Sequence, residues 1–418
     1  MTPPAARSRR SFIASMGLLS AVPLSASAWR TAPGLPAAQA GPRPQGLALH
    51  ADDFLFARGL VYLQTGSLGP TPRPVMDRAI AAWKQLEENP VFYAYGPQEQ
   101  AMEDTRAKVA ALVGCDTEEL LVTRSTTEGM NWVAQGLGLT AGDRVLTTDQ
   151  EHPGGRVCWD YLARKHGVGI DVVAIAPGER DGGAIVDRFA KAVTPRTRVF
   201  SFSHLLTSTG LRMPVAALCE LARRRGALSV VDGAQAVGGV AVDVRALGCD
   251  VYVSSGHKWL LAPPGTGLVY LNKAIGRAVD PIPLQAGRRV YSASSGVTNI
   301  PGVLAMATAV DYVTTIGAAR IEQHNLALRR RLWTALESLP SLRIVSPPDG
   351  PLASPMLSYA LPDAVKADDL CNRLLARHRV VVKIVPGEWF NGHRISTHLF
   401  NTDEDVDALA EALKAELG

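Results

Sequence analysis

Residues 227–258 read ALSVVDGAQAVGGVAVDVRALGCDVYVSSGHK, and the fold turns on how this stretch is understood. Two short apolar runs, ALSVV and DVYVS, are strand-like, and each ends in polar residues: Asp232-Gly-Ala-Gln235 after the first, Ser255-Gly-His-Lys258 after the second. In an open α/β sheet ligands bind outside the carboxyl ends of the strands, so both tips are expected to face one crevice.

Taken singly, a lysine is more often solvated and an Asp-Gly pair more often a turn. No amphipathic helix surrounds Lys258 to give it an ordinary solvent face, however, and the two tips bring an acid and an amine together. A carboxylate that can pair with a pyridinium nitrogen and a lysine that can form an imine are what pyridoxal phosphate (PLP) asks of a protein.

The neighbouring chain alternates strand and helix. Strands are expected at 120–123, 145–149, 169–175 and 198–204, with helices at 102–113, 156–165, 184–193 and 215–225, the last stopping at Gly226. Such βα alternation predicts a mainly parallel sheet covered by helices on both faces. Arg124-Ser-Thr-Thr-Glu-Gly-Met-Asn131 places Ser125, Thr126 and Thr127 where a helix must begin. Free amides and hydroxyls at a helix start suit a phosphate, although Ser and Thr also cap helices that bind nothing. Glu151-His152 and Ser203-His204 close two further strands and are expected at the same crevice.

Upstream, Tyr62-Leu-Gln-Thr-Gly-Ser-Leu-Gly-Pro-Thr-Pro72 reads as a brief strand and a Gly/Pro-punctuated loop, for which structural turns are the commoner reading than a site wall. Tyr93 and Tyr95 are expected to pack rather than to reach a ligand.

The chain has 418 residues, 47% hydrophobic and 20% charged, enough for a large domain with a smaller companion. Of the formal net charge of +4, Arg7, Arg9 and Arg10 lie in residues 1–28, which hold no acid, so the remainder carries no footprint for nucleic acid. Ser-Arg-Arg-Ser-Phe-Ile at 8–13, the mildly apolar ASMGLLSAVPLSASA and the small-residue site Ala26-Ser27-Ala28 together describe a twin-arginine export signal, with Ala38-Gln39-Ala40 as a second cleavage site. The apolar run is too short for a stable membrane span. Cys115, Cys158, Cys219, Cys249 and Cys371 show no CxxC spacing, so no metal site is indicated, and outside the cytoplasm one disulfide stays open.

Ser255-Gly-His-Lys258, Asp232-Gly-Ala-Gln235, Thr126-Thr127-Glu-Gly-Met-Asn131 and Glu151-His152 together resemble the class V aminotransferase family of fold type I PLP-dependent enzymes, over roughly residues 60 to 415. That family includes cysteine desulfurases and isopenicillin N epimerase-like proteins. The resemblance implies an α/β fold: an N-terminal arm at 41–95, a large PLP-binding domain with a mainly parallel sheet at 96–298, and a smaller α+β C-terminal domain at 299–418.

It also implies roles. Lys258 would be the Schiff-base lysine, Asp232 the partner of the pyridine nitrogen, Gln235 a donor to the phenolic oxygen and His152 a plate stacked on the ring. Ser125, Thr126, Thr127, Ser255 and His257 would hold the phosphate, and Arg394 the substrate carboxylate in a bidentate fork. The chain departs from the pattern at Val297, with Thr298 directly after it, where a threonine usually reaches a neighbouring subunit's phosphate. It departs again at Gly155, and at Thr207 near the phenolic oxygen, which points to an altered substrate pocket.

The resemblance leaves the reaction open. Desulfuration needs a thiolate on a mobile loop, and Cys371 lies within a helical pattern. Exported relatives that modify amino-acid groups of secreted natural products, some by oxygen-dependent decarboxylation to a carboxamide, put that reaction slightly ahead of epimerisation and transamination. A protein that merely binds PLP or an amino acid is the non-enzymatic alternative. A homodimer working in the periplasm or outside the cell, after passage through the twin-arginine machinery, completes the expectation.

Overall fold

The computed structural model describes residues 52–418; the expected export signal, both cleavage sites and the first residues of the arm lie outside them. The strands in chain order are β1 (Val61–Tyr62), β2 (Leu120–Thr123), β3 (Arg144–Thr148), β4 (Gly169–Val173), β5 (Thr197–Ser203), β6 (Leu228–Asp232), β7 (Val251–Ser255), β8 (Gly267–Leu271), β9 (Arg343–Ile344), β10 (Met356–Ala360), β11 (Val380–Val381), β12 (Lys383–Ile384) and β13 (Gly392–Ser396).

β2 to β8 make a seven-stranded sheet in the order β2-β8-β7-β6-β5-β3-β4. Neighbours run parallel except at β8, which is antiparallel to both β2 and β7. Successive residues feed opposite faces. Val230, Val251 and Val253 join one apolar cluster with Met130, Val133, Trp159 and Leu162 of helices Thr126–Gly136 and Pro153–His166. Val231 and Tyr252 join another with Ile185, Phe189, Leu218 and Ala222 of helices Gly182–Ala192 and Val215–Arg224. Burial on both faces is why these strands read as unbroken apolar runs. Each fully buried valine or leucine contributes on the order of 2 kcal/mol.

β8 is the strand that periodicity passed over. Gly-Leu-Val-Tyr-Leu is wholly buried and follows the lysine turn directly, and a short apolar run carries no period to separate strand from other buried chain.

A second sheet, β12-β13-β10-β9, is antiparallel. Its outer face packs on Leu328 and Leu332, Leu370 and Leu374, and Leu409 and Leu413 of helices Ala318–Glu337, Ala367–His378 and Asp403–Leu417. The apolar run at 380–384 is divided into two strands because its halves serve different partners. β11 pairs in parallel with β1 of the arm, whereas β12 pairs with β13. The arm is thereby stitched to the C-terminal sheet.

Helix Ile300–Ile316 is buried nearly all round against helices Arg73–Glu88 and Pro97–Val113, and it ends at Gly317, whose φ of 94° turns the next helix by 73°. Among the described residues no single helix is long and apolar enough to cross a membrane.

Candidate active site

The carboxyl ends of β5, β6 and β7 lie side by side, with Ser203 opposite Asp232 and Asp232 opposite Val253. Asp232, 6% exposed, accepts the Ala234 amide on Oδ1 at 2.9 Å. Its Oδ2 faces Gly155, where a Cβ would stand 2.5 Å away, so a side chain at 155 would displace the carboxylate. Burial pushes the Asp232 pKa up, opposed by the Ala234 amide and the charge of Lys258. Lys258, half-buried, is pushed down to about 8 by burial, with Asp232 opposing and Arg394 adding to the shift. Acid and amine therefore share one poorly hydrated space.

The lysine turn is clamped by the loop after β1. Gly69 N donates to His257 O at 2.9 Å, and a Cβ on Gly69 would fall 1.9 Å from the Lys258 carbonyl oxygen. A Cβ on Gly66 would meet Gln235 Oε1, Arg394 Nη2 and Ser396 Oγ within 2.9 Å. The stretch read as structural turns is thus a wall of the site, and its glycines are there because only backbone fits.

At the start of helix Thr126–Gly136, Thr126 N donates to Ser255 Oγ at 2.9 Å and the two hydroxyls lie 2.8 Å apart. The Thr127 hydroxyl lies against Gly154, where a Cβ would come within 2.5 Å of it. Ser125 is the helix cap, its Oγ accepting from Glu128 N at 3.2 Å. His257 Nδ1 is buried and has no hydrogen-bond partner. Thr298 makes no side-chain hydrogen bond to this group; its carbonyl takes the Ile300 amide.

His152 caps helix Pro153–His166, Nδ1 accepting from Gly154 N at 3.0 Å. The residue is exposed, yet its pKa is pushed down to about 4, first by burial of the ring against the protein and then by the positive charges of Lys258, Arg394 and Lys383. Next to it Glu151 accepts from Thr148 Oγ1 and Ser203 Oγ, both at 2.6 Å, and burial raises it to about 7.

Arg394, on β13 and 2% exposed, makes no ion pair among the described residues. Four of its five N–H donors go to neutral oxygens: Nε to Ser396 Oγ at 3.2 Å, Nη1 to Thr207 O at 3.0 Å and to Thr207 Oγ1 at 2.6 Å, and Nη2 to Ser67 Oγ at 3.2 Å. Burial pulls its pKa down to about 10, with Tyr62 opposing. A buried cation with no anion is costly, and it marks a place where a ligand's negative charge belongs.

One sequence expectation is overturned by the strand geometry. His204 does not reach the crevice: side chains alternate along a strand, so Ser203 meets Glu151 while His204 turns to the other face and bonds the Tyr252 hydroxyl through Nδ1 at 2.8 Å. Gln235 lies in the crevice, Nε2 donating to Gly66 O at 2.8 Å and Thr207 Oγ1 at 3.3 Å while Oε1 accepts Trp259 Nε1 at 2.9 Å. It holds the Gly66 loop and the partner of Arg394 in register. Thr207 likewise belongs to the arginine's surroundings.

The Tyr93 hydroxyl donates to Glu88 Oε2 at 3.2 Å, and Tyr95, half-exposed, lies edge-on to Tyr291. The five cysteines are unpaired. Sequence reasoning missed Ser67, Ser396 and Lys383, small or ordinary residues that only the long-range pairing of β1, β11, β12 and β13 brings to the crevice.

The sequence model of the family described as Aminotransferase class-V matches residues 61–409. The isopenicillin N epimerase of Streptomyces clavuligerus is 32% identical over 384 residues, 86% of this chain and 95% of its own length. A probable cysteine desulfurase of Methanothermobacter thermautotrophicus is 29% identical, covering 88% of this chain and 97% of its own. Among solved structures, the apo cysteine desulfurase of Thermococcus onnurineus NA1 superposes with a TM-score of 0.78 at 23% identity, covering 88% of this chain and 97% of that one. A C-DES mutant with glycine covalently linked to the PLP cofactor gives 0.79 at 23% identity, covering 88% and 99%. These likenesses show the fold type I architecture.

Proposed function

The chain belongs to the class V aminotransferase family of PLP-dependent enzymes, and on that premise we propose that it acts at the α-carbon of an amino acid, free or within a natural product, whose carboxylate is held by Arg394. The carrying observation is that buried guanidinium, surrounded only by neutral oxygens in the crevice that also holds Lys258 and Asp232.

The crevice fits the cofactor on its own evidence. The orphaned Nδ1 of His257, the Thr126 and Ser255 hydroxyls and the helix start are a phosphate site waiting for an acceptor-rich guest. Thr126, Thr127, Ser255 and His257 would hold the phosphate, His152 one ring face, Asp232 the ring nitrogen and Lys258 the aldehyde. Bound there, PLP supplies a sink for the electron pair left when a bond at the α-carbon breaks.

The residues divide the remaining work. Asp232, whose pKa burial raises against the Ala234 amide and Lys258, would pair with a protonated ring nitrogen, whose positive charge favours the carboxylate. Lys258, lowered to about 8, has far more free amine near neutral pH than an ordinary lysine and is placed to take or return the α-proton. Arg394 fixes the carboxylate, and Gly66, Gly69 and Trp259 close the wall against water. A carboxylate paired with that guanidinium is stabilised in the ground state, which favours proton transfer at the α-carbon over loss of carbon dioxide. Together with the likeness to isopenicillin N epimerases this supports epimerisation first, with transamination and the oxygen-dependent carboxamide reaction as the competing outcomes.

Desulfuration is disfavoured by Cys371, which sits in helix Ala367–His378 with its thiol against Val382 O and its pKa raised by burial to about 11. Export by the twin-arginine route through residues 1–28, residence in the periplasm or outside the cell, and a homodimer complete the proposal.

Incubating the purified holoenzyme with single amino acids, with and without oxygen, and measuring product mass and chirality tests the reading. Unchanged mass with inverted configuration is expected. A keto acid would make it a transaminase and an oxygen-dependent amide the decarboxylating enzyme; no product and no change in cofactor absorption with any amino acid would overturn the proposal.

A further inference from the structure

Strand β12 places a second cation beside Arg394. In the β12/β13 pair Lys383 lies directly opposite Arg394 and Ile384 opposite His393. Directly opposed residues share a face of the sheet, and the next pair shares the other. His393 is fully buried, bonding Tyr359 and the Ala367 carbonyl, and Ile384 packs on the leucine cluster, so that face is the core. Lys383 and Arg394 therefore both face the crevice.

The connection between the strands reinforces this placement. Trp389 Nε1 donates to Asp149 O at 3.0 Å, tying the hairpin to the tip that carries Glu151 and His152. His152 accordingly feels Lys258, Arg394 and Lys383 together. Asp232 stands against Lys258, and Glu151 is tied up by Thr148 and Ser203. Lys383 is half-buried and makes no hydrogen bond or ion pair among the described residues. Like charges directly opposite one another on a sheet are destabilising, so nothing in the fold itself rewards this pair.

We propose that Lys383 is a specificity-determining residue that receives a second anionic group of the substrate, a side-chain carboxylate, while Arg394 holds the α-carboxylate. The substrate class is then the aminodicarboxylic acids with both carboxylates free. This rests on the reading of the crevice as an amino-acid site and adds to it which amino acid. Lys383 suits the task because its single flexible charge meets a mobile distal group, whereas the rigid fork of Arg394 meets the fixed α-carboxylate.

The test uses pairs matched in length: glutamate against norvaline, and 2-aminoadipate against norleucine. Each is titrated into the holoenzyme while cofactor absorption is followed, so that binding is read without turnover. The wild type is expected to bind one dicarboxylate at least about tenfold more tightly than its apolar partner. Lys383→Met should remove that preference, and Lys383→Arg should keep most of it, which separates lost charge from lost fold. Equal wild-type affinity within both pairs, or a Lys383→Met loss shared equally by norvaline and glutamate, would overturn the proposal while leaving the amino-acid site standing. If no amino acid perturbs the absorption, the site reading falls and this one with it.

Discussion

One wall of the crevice is made by neighbours and the other by strangers. Asp232 and Lys258 end adjacent strands β6 and β7, and the segment between them builds its own hydrogen bonds and core contacts. The wall that holds Arg394 draws on Ser67 of the arm, Thr207 after β5 and Ser396 on β13, so that hydrogen bonds at the guanidinium join residues 187 and 327 positions apart. The first wall can do its chemistry wherever two parallel strands end together; the second exists only once the arm, both sheets and the β12–β13 hairpin have all docked. Reaction type and substrate choice thus rest on parts of the fold with different tolerance to change.

The largest effect expected is on the local wall. Lys258→Ala should lower turnover by about 10⁴-fold or more, at the upper end of what a positioned acid–base group contributes, with the thermal unfolding midpoint little changed. Retained turnover in that variant would mean that the proton is moved by another group. On the assembled wall, Arg394→Gln should raise KM for an amino acid about 100-fold, as when one partner of a buried charge pair is lost. Arg394→Lys should recover little of it, since a lysine cannot reach Thr207, Ser67 and the ligand at once. An Arg394→Lys enzyme with near wild-type KM would show that the fork geometry is idle.

Gly69 is the seam between the two walls, because a Cβ there would lie 1.9 Å from the Lys258 carbonyl oxygen. Backbone rather than a flexible side chain is in the way, so Gly69→Ala should push the lysine turn out of place at a cost of about 2 kcal/mol. Weaker PLP retention by roughly 30-fold on dialysis is the matching readout. Unchanged retention would mean that the arm loop can withdraw without disturbing Lys258.

The same contrast explains what was legible before any coordinates. The DGAQ and SGHK tips were readable because each follows a short apolar strand and its chemistry sits in consecutive residues. Arg394 was found by resemblance; nothing in Gly-His-Arg-Ile-Ser announces a buried cation. Ser67, Ser396 and Lys383 carry no local signal at all, because their partners are fixed by β1–β11 and β12–β13 pairing. β8 escaped for a related reason, its apolar run being explained equally well by any buried segment. His204 misled because two adjacent residues at a strand end cannot both face the ligand.

The finest test concerns the amine itself. Burial lowers Lys258 to about 8, and a lysine attacks an aldehyde only as the free amine. The sign is fixed by that: lowering pH protonates Lys258 and slows capture of PLP by the apoprotein, and raising pH speeds it until the amine is fully free. From pH 7 to pH 9 the free-amine fraction of a group near 8 rises about tenfold and then levels off, whereas a lysine at its ordinary value would gain about a hundredfold and still be rising. Stopped-flow absorbance of PLP capture across that interval distinguishes the two. A plateau ties the reactivity of Lys258 to the dry pocket shared with Asp232, and a rise that continues past pH 9 would mean that water reaches the amine and the local wall is less closed than its packing implies.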